Sequence, residues 1–371
     1  MKPRPYYRAR APLRISLCGG GTDVSPYPEE HGGMVLSATI NQYAYVSLRP
    51  RRDSRLTLAS LDYDTVAKYD HPRRVRIDGQ LDLIKAVVQA LKVRGGTDLW
   101  THSDAPPGSG LGSSSTMVVA LIGCISAWQG RPLAGYDVAE LAYRIERKDL
   151  GLAGGRQDQY AATFGGINFI EFHRDATVVN PLRIRPDVLN ELQYRLLLCY
   201  MGHTRQSARI IERQTESYRE GRSQVVDALH RLKAETLEMK KALLLGDVDA
   251  IGELLHEAWE NKKRLDEGIS NSRVDRLYRI ARREGAIGGK MPGAGGGGYF
   301  LFLTRFDRKH RVAAALERLG GQVVPMSFEN RGLTTWASAS AARGGPTRPR
   351  TGTTRSGPGR GATPPRTTRP G

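Results

Sequence analysis

The sequence predicts an α+β protein built from two domains, and three observations support this. Strand-like segments dominate residues 14 to 48. A strand, a glycine-rich loop and a long apolar helix follow one another between residues 98 and 128. After Pro186 the chain changes to long polar helices with periodic apolar positions, and it closes with a glycine turn and short strands. Separate strand-rich and helix-rich regions are typical of the α+β class.

The size and composition suit a globular protein of the cytoplasm. A length of 371 residues with 39% hydrophobic residues suffices for one large or two ordinary domains. No apolar run approaches the roughly 18 residues of a membrane helix, and no apolar signal region follows Met1. The three cysteines, Cys18, Cys124 and Cys199, are far apart among apolar neighbours, which predicts reduced thiols. We therefore expect neither membrane insertion nor secretion.

The formal charge of +18 is concentrated in part at the end of the chain. Residues 341–371 are rich in Gly, Pro, Thr and Arg, carry seven arginines and contain no acidic residue. This composition lacks the apolar content that ordering requires and predicts a disordered basic tail. The remaining excess of positive charge suits a protein whose ligands are phosphates. A nucleic-acid role for the tail is the less favoured alternative.

The first half of the chain alternates strands, turns and helices. The predicted elements are a strand at 14–17 leading into a glycine turn at 18–23, strands at 35–40 and 43–48, a helix at 82–93, a strand at 98–103, a helix at 114–128 and a helix from an Asp137 N-cap to about 150.

The second half contains the long helices. The predicted elements are a strand at 196–200, one or two helices across 205–245, a helix at 247–265, a strand at 299–303, a helix at 309–319 and a last strand at 322–327. We place the first domain at 1–190 and the second at 191–340, with the tail after them.

The loop between the strand at 98–103 and the following helix is the clearest binding motif. Backbone N–H groups can surround a phosphate only where side chains do not block the approach, and Gly108, Gly110 and Gly112 meet that need. The serines that follow open a helix, whose free N–H groups and positive dipole end favour phosphate. A plain strand-to-helix turn with a serine cap is the alternative. The predicted phosphate-binding residues are Pro107, Gly108, Ser109, Gly110, Leu111, Gly112, Ser113, Ser114 and Ser115.

Two other phosphate-binding motifs do not fit. A P-loop requires Ser or Thr after its Gly-Lys pair, whereas Met291 follows Gly289-Lys290. A dinucleotide fingerprint requires G-x-G-x-x-G and an acidic residue about 20 positions later. The loop here is spaced G-x-G-x-G, and Pro132 stands near the acidic position. An oxidoreductase is therefore not expected.

Three motifs together carry a family resemblance. Residues 11–15 with the glycine turn after them, the loop 107–115 and the loop 292–298 resemble, in the same order, the signature motifs of the galactokinase, homoserine kinase, mevalonate kinase and phosphomevalonate kinase (GHMP) superfamily. The resemblance spans about residues 8 to 335. It implies a kinase that uses ATP and Mg²⁺, with an N-terminal domain like ribosomal protein S5 and a ferredoxin-like C-terminal domain.

The resemblance also implies catalytic roles. Mg²⁺ would be held by Ser114 and Glu146, and Asp158 would orient or deprotonate the acceptor hydroxyl. Arg14 would stabilise charge near Asp158 or the transferring phosphoryl group. Each residue has an ordinary alternative: a solvated helical face for Glu146, a loop cap for Asp158 and a surface arginine at a strand edge for Arg14.

The glycine turn indicates the acceptor. Where galactose kinases carry Gly-Glu-His-Thr-Asp, this chain carries Gly19-Gly20-Gly21-Thr22-Asp23, which argues against galactose. The pattern is similar to the family of D-glycero-D-manno-heptose 7-phosphate kinases, which phosphorylate the anomeric hydroxyl of a heptose phosphate. The implied acceptor-binding residues are Gly20, Gly21, Thr22, Asp23, Arg205, Lys290, Gly295 and Gly296. Arg205 and Lys290 would meet the distal phosphate, although both residue types are more often ordinary polar surface residues.

Two alternatives stay open. One is an anomeric kinase for another sugar, such as a fucose-type hexose. The other is a catalytically silent relative that binds sugar or nucleic acid, against which the joint presence of Ser114, Glu146 and Asp158 argues. The expected partners are a sugar phosphate and ATP. The sequence leaves the oligomeric state open, and a homodimer is one of the options.

Overall fold

A computed structural model describes residues 5–202 and 207–338. Arg205 and the basic tail 341–371 lie outside the described residues. The strands are β1 Tyr6–Cys18, β2 Gly33–Pro50, β3 Leu56–Ser60, β4 Thr65–Tyr69, β5 Thr97–Ser103, β6 Ile167–Phe172, β7 Thr177–Pro181, β8 Leu196–Tyr200, β9 Ala286–Lys290, β10 Tyr299–Thr304, β11 Gln322–Val324 and β12 Thr334–Ser338.

The helices are α1 Tyr27–His31, α2 Asp82–Ala90, α3 Ser113–Trp128, α4 Gly135–Tyr143, α5 Gln157–Phe164, α6 Pro186–Arg195, α7 Ser207–Arg219, α8 Ser223–Leu245, α9 Val248–Lys263, α10 Ser272–Glu284 and α11 Lys309–Arg318. Single 3₁₀ turns occur at Pro72–Arg74 and Glu267–Ile269, and residues Arg144–Asp149 form a π-helical turn after α4.

The first sheet has eight strands and is organised around β2. Its main path is β12-β1-β2-β5-β3-β4, with β6 and β7 added beside the first half of β2. All pairs are antiparallel except β3 with β5. The segments predicted as two strands at 35–40 and 43–48 form one continuous strand, because β1 pairs along nearly its whole length.

The register of β1 against β2 shifts between Pro12 and Arg14. Proline has no N–H to donate to a ladder, so an irregularity here has a local cause. Just past the shift, the Arg14 backbone N–H donates to Leu111 O in the glycine loop at 3.1 Å. The bend in β1 therefore joins the first sheet to the loop.

The second sheet has the strand order β11-β8-β10-β9, and all of its pairs are antiparallel. Helices α7 to α10 lie between its first two strands in sequence and α11 between its last two, which is the ferredoxin-like arrangement. The Trp259 ring of α9 packs edge-on against Phe300 with centroids 5.1 Å apart, and Phe300 stacks on Phe302 at 4.4 Å. The two-domain α+β prediction is confirmed.

Two large apolar clusters form the core, and β1 contributes to both. Ala9 and Ala11 pack with α2 and α3, whereas Leu13, Ile15 and Leu17 pack with the helices and strands of the second sheet. The two halves of the molecule thus share a buried boundary. Strand β12 falls in the range predicted for the second domain but pairs with β1 of the first sheet. The exact domain limits stay a prediction.

Local details differ from two expectations. Helix α4 begins at Gly135 with Ala134 at its N-cap, so Asp137 lies in the first turn and is not the cap. The strand at 322–324 is not the last one, because β12 follows it. All three cysteines are buried and free. Within 5–202 and 207–338, no helix combines the length and apolar character that crossing a membrane requires.

Candidate active site

The glycine loop lines a cleft of about 320 Å³ where the two halves meet. Gly108, Gly110 and Gly112 have φ of 74°, 89° and 75°, a region that residues with a side chain rarely occupy. This backbone path brings the loop directly into the start of α3 at Ser113, where the first N–H groups have no helical partner. The cleft therefore presents backbone donors and a helix N-terminus suited to phosphate.

A second glycine turn, at 291–298, closes against this loop through backbone contacts. A Cβ on Gly293 would lie 2.4 Å from Gly110 Cα, and one on Gly298 would lie 2.2 Å from Ser109 O. Tyr299 N donates to Ser109 O at 2.9 Å. The absence of side chains lets the two turns form one wall, to which Pro292, Gly293 and Ala294 contribute.

Arg14 and Asp158 form the closest charged pair of the cleft. The Arg14 Nε donates to Asp158 Oδ1 at 2.7 Å, and Nη1 donates to Gly110 O at the same distance. Arg14 is 4% exposed, whereas the Asp158 side chain is 20% exposed and faces the cleft. The guanidinium thus connects the carboxylate to the glycine loop.

Glu146 is a buried carboxylate at the cleft. Its Oε1 accepts from Ser115 Oγ at 2.9 Å and its Oε2 from Gln159 Nε2 at 2.6 Å. Burial raises the pKa of the Glu146 carboxyl, while the Arg147 cation and these two hydrogen bonds oppose the rise. Ser114 is exposed in the cleft, so the serine that contacts Glu146 is the next one along.

Asp23 lines the cleft, yet its oxygens are occupied by the protein. They accept from Gly21 N at 3.1 Å, from Arg156 N and Gln157 N at 3.0 Å, and from Gln157 Nε2 at 3.2 Å. Because Gln157 begins α5, this carboxylate caps the helix that carries Asp158. A Cβ on Gly155 would lie 2.0 Å from Asp23 Oδ2, so glycine is required there.

The other predicted acceptor residues are distributed around this turn. Gly20 and Gly21 line the cleft. Thr22 is buried, and its hydroxyl donates to Gly19 O at 2.8 Å and Met34 O at 2.9 Å. Lys290 is 1% exposed and donates to Ser16 O at 2.6 Å, and burial lowers its pKa to about 8. Its predicted contact with a substrate phosphate has no support in this geometry.

Gly295 and Gly296 hold the second turn in place. A Cβ on Gly295 would lie 2.9 Å from backbone atoms of Ile269, and Gly296 N donates to Ile269 O at 2.9 Å. Neither lines the cleft. Of the loop residues, Ser109 and Leu111 are fully buried and do not line the cleft.

Several cleft residues were not foreseen from the sequence. They are Arg147, Gln157, Gln214 and Lys262. Gln157 adjoins Asp158 and could have been found from that motif. Gln214 and Lys262 lie on α7 and α9 in polar helical stretches, where no local pattern separates a cleft residue from a surface one.

An apolar cavity of about 610 Å³ adjoins the cleft beyond the loop. The two share Ser113, Ser114 and Leu152. Its apolar lining consists of Ile77, Leu81, Leu83, Ile84, Pro107, Met117, Leu150 and Leu152. A flat apolar group could therefore lie beside a phosphate chain held at the loop.

Taken together, the cleft combines donors for a phosphate chain, a buried carboxylate near those donors and an arginine-bound carboxylate, Asp158, that lies against Gly112 of the loop. These are the elements of a phosphoryl-transfer site. Within the described parts of the chain, no group of three or more His, Cys, Asp or Glu side chains could hold a metal by itself. A Mg²⁺ ion held by one carboxylate and by substrate phosphates needs no such group.

Comparison with known proteins agrees with this class. Residues 82–166 match the GHMP kinases N terminal domain, and residues 239–322 match the GHMP kinases C terminal domain. The chain is 38% identical to D-glycero-alpha-D-manno-heptose 7-phosphate kinase of Campylobacter jejuni, with 89% of this chain and 98% of the relative covered. The chain belongs to the GHMP kinase family.

Two further similarities are informative. A crystal structure described as a D-glycero-D-manno-heptose 1-phosphate kinase from Bacteroides thetaiotaomicron superposes with a TM-score of 0.75 at 37% identity, over 89% of this chain and 98% of that one. The L-fucokinase/L-fucose-1-P guanylyltransferase of Bacteroides fragilis is 27% identical over 80% of this chain, which spans 34% of that larger protein.

Proposed function

We propose that this protein is an ATP-dependent sugar 1-kinase that phosphorylates the anomeric hydroxyl of D-glycero-D-manno-heptose 7-phosphate. The observation that carries the proposal is the Arg14–Asp158 pair, which faces the same cleft as the glycine loop. The similarity to a heptose 7-phosphate kinase over 98% of that relative supports the choice of acceptor. The buried free cysteines favour a reducing compartment, and we place the reaction in the cytoplasm.

The nucleotide would bind along the loop. Backbone N–H groups of Gly108 to Ser115 would hold the phosphates, and the helix dipole of α3 would favour their charge. The apolar cavity that shares Ser113 and Ser114 with the cleft would take the adenine ring. This arrangement directs the terminal phosphoryl group toward Arg14 and Asp158.

Mg²⁺ fits the residues at the loop. Glu146 supplies a buried carboxylate, and Ser114 supplies a hydroxyl that is exposed in the cleft without a hydrogen-bond partner among the described residues. When bound, the ion would neutralise charge on the nucleotide phosphates. Ser115 and Gln159 hold the Glu146 carboxylate in place through its two oxygens. We therefore assign Glu146 and Ser114 as the residues that would hold the metal.

Asp158 would orient the acceptor hydroxyl and accept its proton. The hydroxyl oxygen attacks the terminal phosphorus, the bond from that phosphorus to the β,γ-bridging oxygen breaks, and ADP leaves. Arg14 holds Asp158 through Oδ1, which leaves Oδ2 for the acceptor. The same guanidinium lies close enough to the loop to offset charge on the transferring group.

Two amides give the acceptor end its polar character. Gln214 is 7% exposed, lines the cleft and has no hydrogen-bond partner among the described residues. Gln157 donates to Asp23, but its buried Oε1 accepts no hydrogen bond within the described parts. Buried polar groups are normally paired, so both amides are suited to sugar hydroxyls. The cleft thus fits a polyhydroxylated acceptor.

The acceptor assay tests the proposal. ATP turnover is measured with the heptose 7-phosphate beside L-fucose and D-mannose, and the product is checked for an anomeric phosphate. We expect kcat/KM for the heptose phosphate to exceed the others by about ten- to hundredfold, since a lost charge-assisted contact costs one to two orders of magnitude. Absence of turnover on the heptose phosphate would reject this acceptor, and turnover on L-fucose would support the fucose-type alternative.

A binding protein without catalysis is the alternative from another class. Deletion of residues 343–371 removes the seven tail arginines and leaves every described residue in place. We expect kinase activity to survive this deletion. If the full chain shows no ATP turnover and the deletion abolishes nucleic-acid binding, the catalytically silent relative is favoured.

A further inference from the structure

Lys262 is a buried lysine at the cleft that none of the assigned roles uses. It lies near the end of α9, is 5% exposed and contributes to the cleft lining. Its Nζ donates to Met291 O at 3.1 Å and to Gly293 O. An ammonium has three N–H donors, so two hold the second glycine turn and one is left over.

No carboxylate among residues 5–202 and 207–338 forms an ion pair with this ammonium. The charged and titratable groups that face it are Lys290 of β9, Arg14 and the Cys18 thiol of β1, and Asp23. Two of these are cations, and Asp23 is already occupied by backbone donors. Burial lowers the pKa of the Lys262 ammonium well below its usual value, and Lys290 and Arg14 lower it further. An unpaired buried cation is costly, which favours a role with a ligand.

The position of Lys262 relates it to the phosphate path. Its partner Gly293 lies against Gly110, and Gly110 O accepts from Arg14. Lys262 and Arg14 therefore each bind one of the two adjoining glycine turns. Arg14 already has a carboxylate partner in Asp158, whereas Lys262 has none.

We propose that Lys262, in its protonated form, binds a phosphoryl oxygen of the ligand in the cleft through the N–H donor that the glycine turn does not use. Ligand binding is then coupled to proton uptake. The inference rests on the proposed function only in that the ligand carries phosphate. Two sources have this chemistry: the terminal phosphoryl group of ATP and the phosphate that the sugar already bears. The affinity of the ligand whose phosphate Lys262 binds falls as pH rises, because the neutral amine has no positive charge to attract the phosphate.

Calorimetry in buffers of different ionisation enthalpy counts the protons exchanged on binding. The titrants are ADP, a non-hydrolysable ATP analogue, the heptose 7-phosphate and the unphosphorylated heptose. The variants are Lys262→Met, Lys262→Arg and, as matched control, Lys263→Met, whose lysine lies next on the same helix and pairs with Glu260 at 2.8 Å.

For the wild type and Lys263→Met we expect proton uptake with one phosphate-bearing titrant and little with its counterpart that lacks that phosphate. Uptake with the ATP analogue but not ADP assigns the terminal phosphoryl group, and uptake with the sugar phosphate but not the heptose assigns the sugar phosphate. Lys262→Met should abolish the uptake and weaken that ligand about ten- to hundredfold. Lys262→Arg should bind without uptake, because arginine stays charged.

Unchanged proton counts and affinities in Lys262→Met would overturn the inference. Thermal denaturation shows whether each variant is folded, and Lys262→Arg keeps the test valid if the methionine variant is not. The titrations with ADP and the ATP analogue require no sugar. Evidence against the heptose acceptor would therefore not be confused with evidence against phosphate binding by Lys262.

Discussion

The Arg14 guanidinium binds Oδ1 of Asp158 through Nε at 2.7 Å while its Nη1 binds Gly110 O at 2.7 Å. These contacts join β1, the glycine loop and α5 at one point. A carboxylate held in this way is fixed in orientation relative to any phosphate on the loop. The geometry separates residues that act on the acceptor from residues that hold the nucleotide.

Asp158→Asn should remove nearly all turnover and leave ATP binding largely intact. The amide keeps the shape of the side chain but cannot accept a proton, and positioned acid–base groups contribute about 10²- to 10⁴-fold. Steady-state kinetics and nucleotide titration check the two parts. Asp149→Asn, at a half-exposed carboxylate outside the cleft lining, is the control. Wild-type rates in Asp158→Asn would refute the assigned role.

Glu146→Gln should raise the Mg²⁺ concentration needed for half-maximal activity by at least about tenfold. The amide can still accept from Ser115 or Gln159, but the charge that favours the metal is lost. Activity and nucleotide affinity are measured across a Mg²⁺ titration, with the exposed Glu140→Gln as control. An unchanged Mg²⁺ requirement would assign the metal to another group.

Asp23→Asn should lower both kcat and stability, with little change in the KM for ATP. In either orientation, the NH2 group of the substituted amide would face a backbone donor, at Arg156 and Gln157 or at Gly21, at a cost of about 1–3 kcal/mol of unfolding free energy. The start of α5 would then hold Asp158 less firmly. Chemical denaturation measures the stability of Asp23→Asn and the wild type, and steady-state kinetics measure their kcat and KM values. A higher acceptor KM with unchanged stability would instead mean that Asp23 binds the sugar directly.

Gly293→Ala should abolish nucleotide binding in a protein that still folds in its two halves. The added Cβ would lie 2.4 Å from Gly110 Cα and would force the two glycine turns apart. Nucleotide affinity by calorimetry and secondary structure by circular dichroism check the result. Gly95→Ala is the control, since its Cβ would meet Trp128 at an ordinary 3.4 Å. Normal affinity in Gly293→Ala would show that the turns separate without cost.

Glu235→Gln should stabilise the protein above pH 7 and have less effect near pH 5. Burial raises the pKa of Glu235 to about 7, and its Oε2 has no partner among the described residues. The folded state therefore binds more protons than the unfolded state between about pH 4.5 and 7, and the unfolding free energy of the wild type falls as pH rises through this window. Glutamine does not ionise and avoids this loss.

The gain expected at pH 8 is roughly 1–3 kcal/mol, reduced from the full shift because the side chain is only partly buried. Denaturation at pH 5 and pH 8 measures it. Glu238→Gln, an exposed position on the same helix, should show no such dependence on pH. Equal effects of Glu235→Gln at both pH values would contradict the raised pKa.

Short-range patterns were sufficient for the elements that depend on neighbours in sequence. The glycine loop, the serines that open α3 and the strand at 196–200 follow from local spacing, and the order of three motifs identified the family. The positions of Arg14 and Asp158 as a pair came from that resemblance. No local pattern could show that Asp23 caps α5.

Tertiary structure decided the rest, because the deciding contacts join distant parts of the chain. The Asp23–Gln157 bond spans 134 positions, and the Lys262–Gly293 bond joins a helix to a turn 31 positions away. A sequence shows that a lysine or glutamine is polar, but only the packing of α7 and α9 against the glycine turns shows that Gln214 and Lys262 are buried at a cleft. By itself, the sequence determined a GHMP kinase with a phosphate loop; the fold determined which charges remain unpaired there.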